Sequence, residues 1–223
     1  MLEGVSVIAF DIDGTLYPSW ALYVRVIPHF IRNLRFFLHY NKVRNILHRT
    51  APLADFYEYQ GRLLAEELHC TVARARALIR CIVYDGLKRH FKKVKPFKGM
   101  QETLAALKAA GYRIAILSDF PPAQKGDMWG ILPLCELVLG SEELGALKPS
   151  KYPFGVMAQL LEVKPSEILY VGNSKRCDVR GANNAGMKSA YILPWWRQVL
   201  HRPYKEADIC FATYRQLQNI VLQ

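Results

Sequence analysis

The chain has 223 residues, 51% of them hydrophobic and 22% charged, with a net charge of +11. That is enough chain for one sizeable core, or for a core with a smaller companion. No apolar run reaches the roughly 18 residues that span a bilayer, and the chain enters a strand almost at once instead of a secretory leader, so a soluble, cytoplasmic protein is expected.

Five widely spaced cysteines (Cys70, Cys81, Cys135, Cys177 and Cys210) are an odd number without a C-x-x-C pair, against both a disulfide framework and a zinc site. The charge is concentrated. Residues 18–96 hold 15 Lys+Arg against 5 Asp+Glu, or +10, and the remainder 15 against 14, or +1. Such a field attracts anions, whether a phosphorylated metabolite, nucleic acid or an anionic membrane surface. It also suits solvated helix faces.

In chain order, residues 5–11 read as a buried strand, Val7-Ile8-Ala9-Phe10, cut off by Asp11, Asp13, Gly14 and Thr15. Acids at i and i+2 where a strand opens into a crevice attract a hard cation such as Mg²⁺. From Pro18 to about Pro96 the period is helical. Tyr23, Ile27, Phe30, Ile31, Leu34, Phe37 and Leu38 recur as an apolar stripe, with Arg25, His29 and Arg32 opposite. Pro28 is expected to kink that helix or to start a new one. Further helices are expected at about 52–69 and 72–91. In the latter, Val72, Ala75, Ile79, Ile82 and Val83 face inward, and Arg80, Tyr84 and Lys88 outward.

Beyond Pro96 helices and strands alternate. Helices at about 100–110, 151–161 and 176–185 and a terminal helix from Thr213 separate strands at 112–117, 137–139, 168–171, 190–193 and 209–212. A short helix follows Pro121-Pro122. Alternation of this kind means right-handed crossovers and a parallel sheet. The fold class expected is therefore α/β, a Rossmann-like parallel sheet with helices on both faces, comprising residues 1–17 and 97–223. A helical block at 18–96 is inserted after the first strand.

Strand ends converge at one sheet edge, which gathers Asp11 and Asp13, Ser118 and Asp119, and Gly172, Asn173 and Ser174 with Asp178 shortly after. Lys148 lies in a loop nearby. Carboxylates, a hydroxyl and an ammonium at one edge suit phosphoryl transfer, in which an Asp can attack phosphorus and a second acid can move the proton.

Phe10–Leu16 (FDIDGTL), Ile116–Asp119 (ILSD), Leu147–Pro149 (LKP) and Val171–Asp178 (VGNSKRCD) together resemble the four ordered motifs of the haloacid-dehalogenase-like phosphatases. The resemblance covers most of the chain outside the insertion. It implies Asp11 as nucleophile and Mg²⁺ ligand, and Asp13 as general acid and base with its carbonyl on the metal. Ser118 and Lys148 would hold the phosphoryl group, Thr15 would brace the loop, and Asn173 and Asp178 would complete the metal site. Asn173 departs from the family's usual Asp and can equally be a turn former. Asp119 can cap a helix or support the catalytic groups.

The same resemblance implies that 18–96 is a helical cap of the C1 type, on which Arg25, His29 and Arg32 can face either a multiply anionic substrate or solvent. Asp13 favours phosphatases and phosphomutases over dehalogenases, which lack that acid. The expected activity is Mg²⁺-dependent hydrolysis of a small anionic phosphorylated substrate, with a phosphomutase as the alternative. A basic-cap binding protein for nucleic acid or anionic lipid is a third reading, in which nucleic acid is disfavoured by the absence of any homeodomain, zinc-finger or RNP-like motif. Trp195 and Trp196 can be surface anchors or core edge, and the sequence leaves the oligomeric state open.

Overall fold

The apolar runs read from the sequence assemble into one six-stranded parallel sheet in the order β3-β2-β1-β4-β5-β6. The computed structural model describes residues 2–200 and 202–223. The strands are β1 (Val7–Phe10), β2 (Arg113–Ser118), β3 (Cys135–Gly140), β4 (Ile168–Gly172), β5 (Lys188–Ile192) and β6 (Ile209–Phe211). β1 is central, with β2 on one side and β4 on the other, so the strand order reverses at its carboxyl end. That reversal opens the crevice in which doubly wound sheets bind ligands.

Successive residues of each strand serve opposite faces. Ile8, Phe10, Ile114, Ile116, Leu169 and Val171 pack on one side with α6 (Met100–Ala109) and α10 (Tyr214–Leu222). Val7, Ala9, Ala115, Leu117, Ile168 and Tyr170 pack on the other with α7 (Lys151–Leu160) and α8 (Gly181–Asn184). Strands covered on both faces must be apolar throughout, which is why the sequence shows continuous runs here in place of alternation.

Between β1 and α6 the chain is helical: α1 (Ser19–Arg32), α2 (Leu34–Leu47), α3 (Phe56–Leu68), α4 (Val72–Leu78) and α5 (Asp85–Phe91). A π-turn at Ile79–Tyr84 joins the last two. This insertion has its own apolar cluster, including Phe36, Tyr40, Val43, Leu64, Ile79 and Val83. It is also stitched to the sheet, because Ala21, Leu22, Phe91 and Val94 pack into the core beside β1.

Three expectations fail within the insertion. Pro28 does not start a new helix: α1 continues through it to Arg32 and ends at Asn33. The carbonyl that Pro28 leaves unbonded belongs to Val24, an exposed residue that water can serve. Most of the apolar stripe does not point inward either: Tyr23, Ile27 and Ile31 of α1 and Leu34 and Leu38 of α2 are exposed, whereas its Phe37 is buried and so is His29 from the opposite side. The α-helical period finds a stripe but does not say which of two semi-apolar faces meets the core, and here the buried face is Ala21, Leu22 and His29. Finally, the π-turn adds a residue to one helical turn and swings Tyr84 inward, where its hydroxyl donates to Glu142 Oε2 at 2.6 Å.

Candidate active site

The cluster begins with the four-residue strand β1. Its last ladder hydrogen bond, from Asp11 N to the Val171 carbonyl at 2.9 Å, fixes Asp11 at the sheet edge. Gly14 then takes φ +87°, which a side chain rarely adopts, and a Cβ there would lie 2.0 Å from Asn173 Nδ2. The turn that carries Asp13 past the strand end therefore requires glycine and lies against the Asn173 side chain.

Lys148 Nζ is buried between two carboxylates, donating to Asp11 Oδ1 at 2.8 Å and to Asp178 Oδ1 at 2.7 Å. It also donates to the Tyr170 hydroxyl at 3.0 Å, which in turn donates to the Leu117 carbonyl at 2.7 Å. The remaining oxygens are held as well. Thr15 Oγ1 donates to Asp11 Oδ2 at 3.0 Å, and the Asn173 and Ser174 amides donate to Asp178 Oδ2 at 3.1 and 2.8 Å. Asp119 Oδ1 accepts from Lys148 N at 3.0 Å, which seats the lysine loop on the end of β2.

Burial raises the Asp11 carboxyl to about 7; Lys148 opposes this, but Asp178 and Asp13 add to it. Burial alone would lower the Lys148 ammonium, yet Asp11 and Asp178 hold it well above its usual value. The cluster is thus rich in carboxylates and short of positive charge.

A cavity of about 530 Å³ opens over these groups. Asp11, Asp13, Asp119, Lys148, Asn173 and Asp178 all line it, together with Arg44 and His48 from the insertion. Thr15 and Ser118 are fully buried and lie outside that lining, and the Ser118 hydroxyl has no partner among the described residues. Arg25 and Arg32 are exposed and line neither this cavity nor its neighbour, and Arg25 donates to the Ala21 carbonyl of its own helix. The alternative in which they face the cavity therefore does not hold: both share the His29 side of α1, but their long side chains run out to solvent. His29 Nε2 donates to the Ile82 carbonyl at 2.9 Å and lines a second, apolar cavity of about 310 Å³.

Several residues of the site escaped the sequence. Lys125 Nζ reaches Asp13 Oδ1 at 2.6 Å, and the Tyr17 hydroxyl donates to the same oxygen. Lys125 sits in the short helix after Pro121-Pro122, and the only signal was its place after a strand end that already carried Asp119. His48 donates from Nδ1 to the Lys148 carbonyl at 2.6 Å, and burial lowers its pKa. Donor atoms of His48, Asp119 and Cys177 lie within 4.8 Å of one another, a mixed set softer than Mg²⁺ prefers. Arg44 forms a buried ion pair with Glu142 and tethers α2 to the core.

For Mg²⁺, the fit rests on the donor set. Asp11 and Asp178 bring hard carboxylate oxygens to one cavity beside the Asn173 amide, and a second cation would relieve the repulsion that raises Asp11.

A profile for haloacid dehalogenase-like hydrolases matches residues 8–192. The glyceraldehyde 3-phosphate phosphatase of Methanopyrus kandleri is 30% identical over 197 residues, 84% of each chain. The phosphoglycolate phosphatase of Aquifex aeolicus is 27% identical over 203 residues, again 84% of each chain. A HAD phosphatase structure from Thermococcus onnurineus superposes with a TM-score of 0.66 at 22% identity, covering 97% of this chain and 98% of that one. With the profile reaching from β1 to the end of β5, and so across every residue of the cavity lining, the chain belongs to the haloacid dehalogenase-like hydrolases.

Proposed function

We propose that the protein is a Mg²⁺-dependent phosphatase that hydrolyses a small phosphorylated metabolite through an aspartyl-phosphate. The observation that carries this reading is the Lys148 ammonium, held between Asp11 and Asp178 on the wall of a cavity that Asp13 also lines. Relatives named for glyceraldehyde 3-phosphate and phosphoglycolate hydrolysis support the substrate class.

In this reading an Asp11 oxygen attacks phosphorus, and the P–O bond to the leaving group breaks. Asp13, protonated, gives its proton to the departing alkoxide. The alcohol leaves, and Asp13, now a carboxylate, takes a proton from the water that attacks the aspartyl-phosphate. Inorganic phosphate departs and Asp11 is regenerated. Lys148 and the unpartnered Ser118 hydroxyl bind the transferring oxygens. Thr15 keeps Asp11 aimed, and Lys125 and Tyr17 hold Asp13. Asp11, the Asp13 carbonyl, Asn173 and Asp178 would hold Mg²⁺, which supplies charge neutralisation for the phosphoryl oxygens. Residues 18–96 act as the cap that keeps bulk water from the intermediate.

Hydrolysis of para-nitrophenyl phosphate tests this. The native protein is expected to turn over with Mg²⁺ and to slow when the metal is chelated, while D11N is inert. Equal, near-zero rates for native protein and D11N overturn the reading.

A further inference from the structure

We propose that the α1–α2 face seats the enzyme on an anionic lipid bilayer, and that the apolar cavity beside Asp13 takes the hydrocarbon part of a phosphomonoester drawn from it. The second half rests on the phosphatase reading; the first does not.

The face is an apolar stripe on α1, followed past Asn33 by two exposed leucines of α2. Trp20, Val24, Ile27 and Ile31 follow i, i+4, i+7, i+11 spacing, and Leu34 and Leu38 extend it into α2. Their exposures are 67, 59, 50, 66, 46 and 57%. Scattered exposed apolar residues need no explanation, but a contiguous stripe marks a surface made to be covered.

Charge selects the cover. No acidic residue lies between Asp13 and Asp55, while Arg25, Arg32 and Arg35 are exposed along the same two helices. A second copy of the chain seated here offers no acidic residue of this stretch to pair with them. An anionic headgroup layer complements them, while its acyl boundary takes the tryptophan and isoleucines, the usual arrangement of an interfacial amphipathic helix. A second apolar element, α9 (Trp195–Val199), follows β5 as α1 follows β1, and so leaves the same sheet edge. Its Trp195 and Val199, with Leu200 just beyond, are exposed at 75, 67 and 55%.

The cavity connects this face to the chemistry. Tyr23 and Phe30 are exposed on the stripe's flank and also line the 310 Å³ cavity. Its walls are largely apolar (Leu22, Val26, Phe37, Leu87 and Phe91 among them), and Asp13 and Lys125 are among the polar groups that line it. Asp13 lines both cavities, whereas Asp11 lines only the larger. A phosphoryl group attacked by Asp11 therefore departs from a leaving group on the apolar side of Asp13.

Two measurements test the two halves. D11N, inert toward substrate, is sedimented with phosphatidylcholine vesicles with and without about a third phosphatidylglycerol. It is expected to bind the anionic vesicles only. R25A/R32A/R35A should weaken that binding on the order of a hundredfold, at about fivefold per arginine. W20S/I27S/I31S should weaken it as well. Each triple substitution, made in the otherwise native chain, should leave para-nitrophenyl phosphate hydrolysis in solution unchanged. D11N that stays in the supernatant, W20S/I27S/I31S in that background binding as well as D11N alone, or a soluble dimer that W20S/I27S/I31S dissociates would each overturn the docking.

For the cavity, kcat/KM is measured on monoalkyl phosphates from butyl to dodecyl. It should rise by about fourfold per methylene until the cavity is filled. A flat series with full activity on para-nitrophenyl phosphate overturns the substrate class alone. No turnover of any ester overturns the phosphatase reading itself, while vesicle binding still decides the docking.

Discussion

Replacing Arg44 by methionine removes the cation from a buried ion pair that joins the insertion to the core, and its cost can be worked out. Glu142 is fully buried and keeps only the Tyr84 hydroxyl, at 2.6 Å, as a donor to its carboxylate. Stranding a buried charge in this way costs about 3–5 kcal/mol. The guanidinium also lies 4.7 Å from the Phe120 ring centroid, a contact worth about 0.5–1 kcal/mol more. The expected loss is therefore about 5 kcal/mol, a large share of the roughly 5–15 kcal/mol that stabilises a domain.

The deficit should depend on pH. Burial already raises the Glu142 carboxyl, and Arg44 opposes this. Without Arg44 the folded-state value rises further above the unfolded one. The folded chain then binds the extra proton, so stability is retained at low pH and falls as pH rises, by up to about 1.4 kcal/mol per unit. Urea unfolding of R44M at acid and at alkaline pH measures both the cost and its slope, and R44M/E142L, with no stranded charge, should recover most of the loss. A single variant that costs under about 1 kcal/mol, or a double variant no better than the single, would refute the argument that this pair is what couples the two parts.

Three further outcomes follow from the same geometry. K125M removes the 2.6 Å partner of Asp13 and should lower kcat about tenfold with little change in KM, read in steady-state hydrolysis of para-nitrophenyl phosphate. His48 is held below its usual pKa by burial, so its contribution to stability is present above about pH 6.5 and lost as pH falls through its folded-state value. H48N keeps a donor near Nδ1 and should flatten the decline of the urea midpoint on acidification. G14A forces a side chain into the left-handed region and against Asn173 Nδ2, and should cost about 2 kcal/mol or more by urea unfolding.

The sheet was legible because its strands are covered on both faces and must be continuously apolar: Val7–Phe10, Ile114–Leu117 and Ile168–Val171 can hardly be anything else. The grouping of Asp11, Asp13, Asp119, Lys148, Asn173 and Asp178 around one cavity follows from the same logic, since parallel strands deliver their carboxyl ends to one edge. The outward stripe of α1 was hidden because periodicity reports that apolar residues share a face, not what that face meets. Tyr84 was assigned to the wrong side because a six-residue π-turn leaves no mark in an apolar pattern. Lys125, Arg44 and His48 were invisible for another reason. Each finds its partner far along the chain, at 112, 98 and 100 residues' separation, and a lone basic residue carries no sign of the distant carboxylate or carbonyl it meets.

The widened turn at Ile79–Tyr84 lets one rod of helix answer to two neighbours. Upstream of it, Ala75 and Ile79 pack among the helices of the insertion; downstream, Leu87 and Phe91 wall the chamber beside Asp13. Trimming a single residue there would rotate everything beyond it by about 100°, withdrawing the Phe91 ring from beneath the Lys125 ammonium 3.7 Å away. Chain length across those six positions, more than their chemistry, thus governs the shape of the chamber. Families that drift by insertion and deletion can reshape what they accept at this one hinge of phase without touching a catalytic side chain.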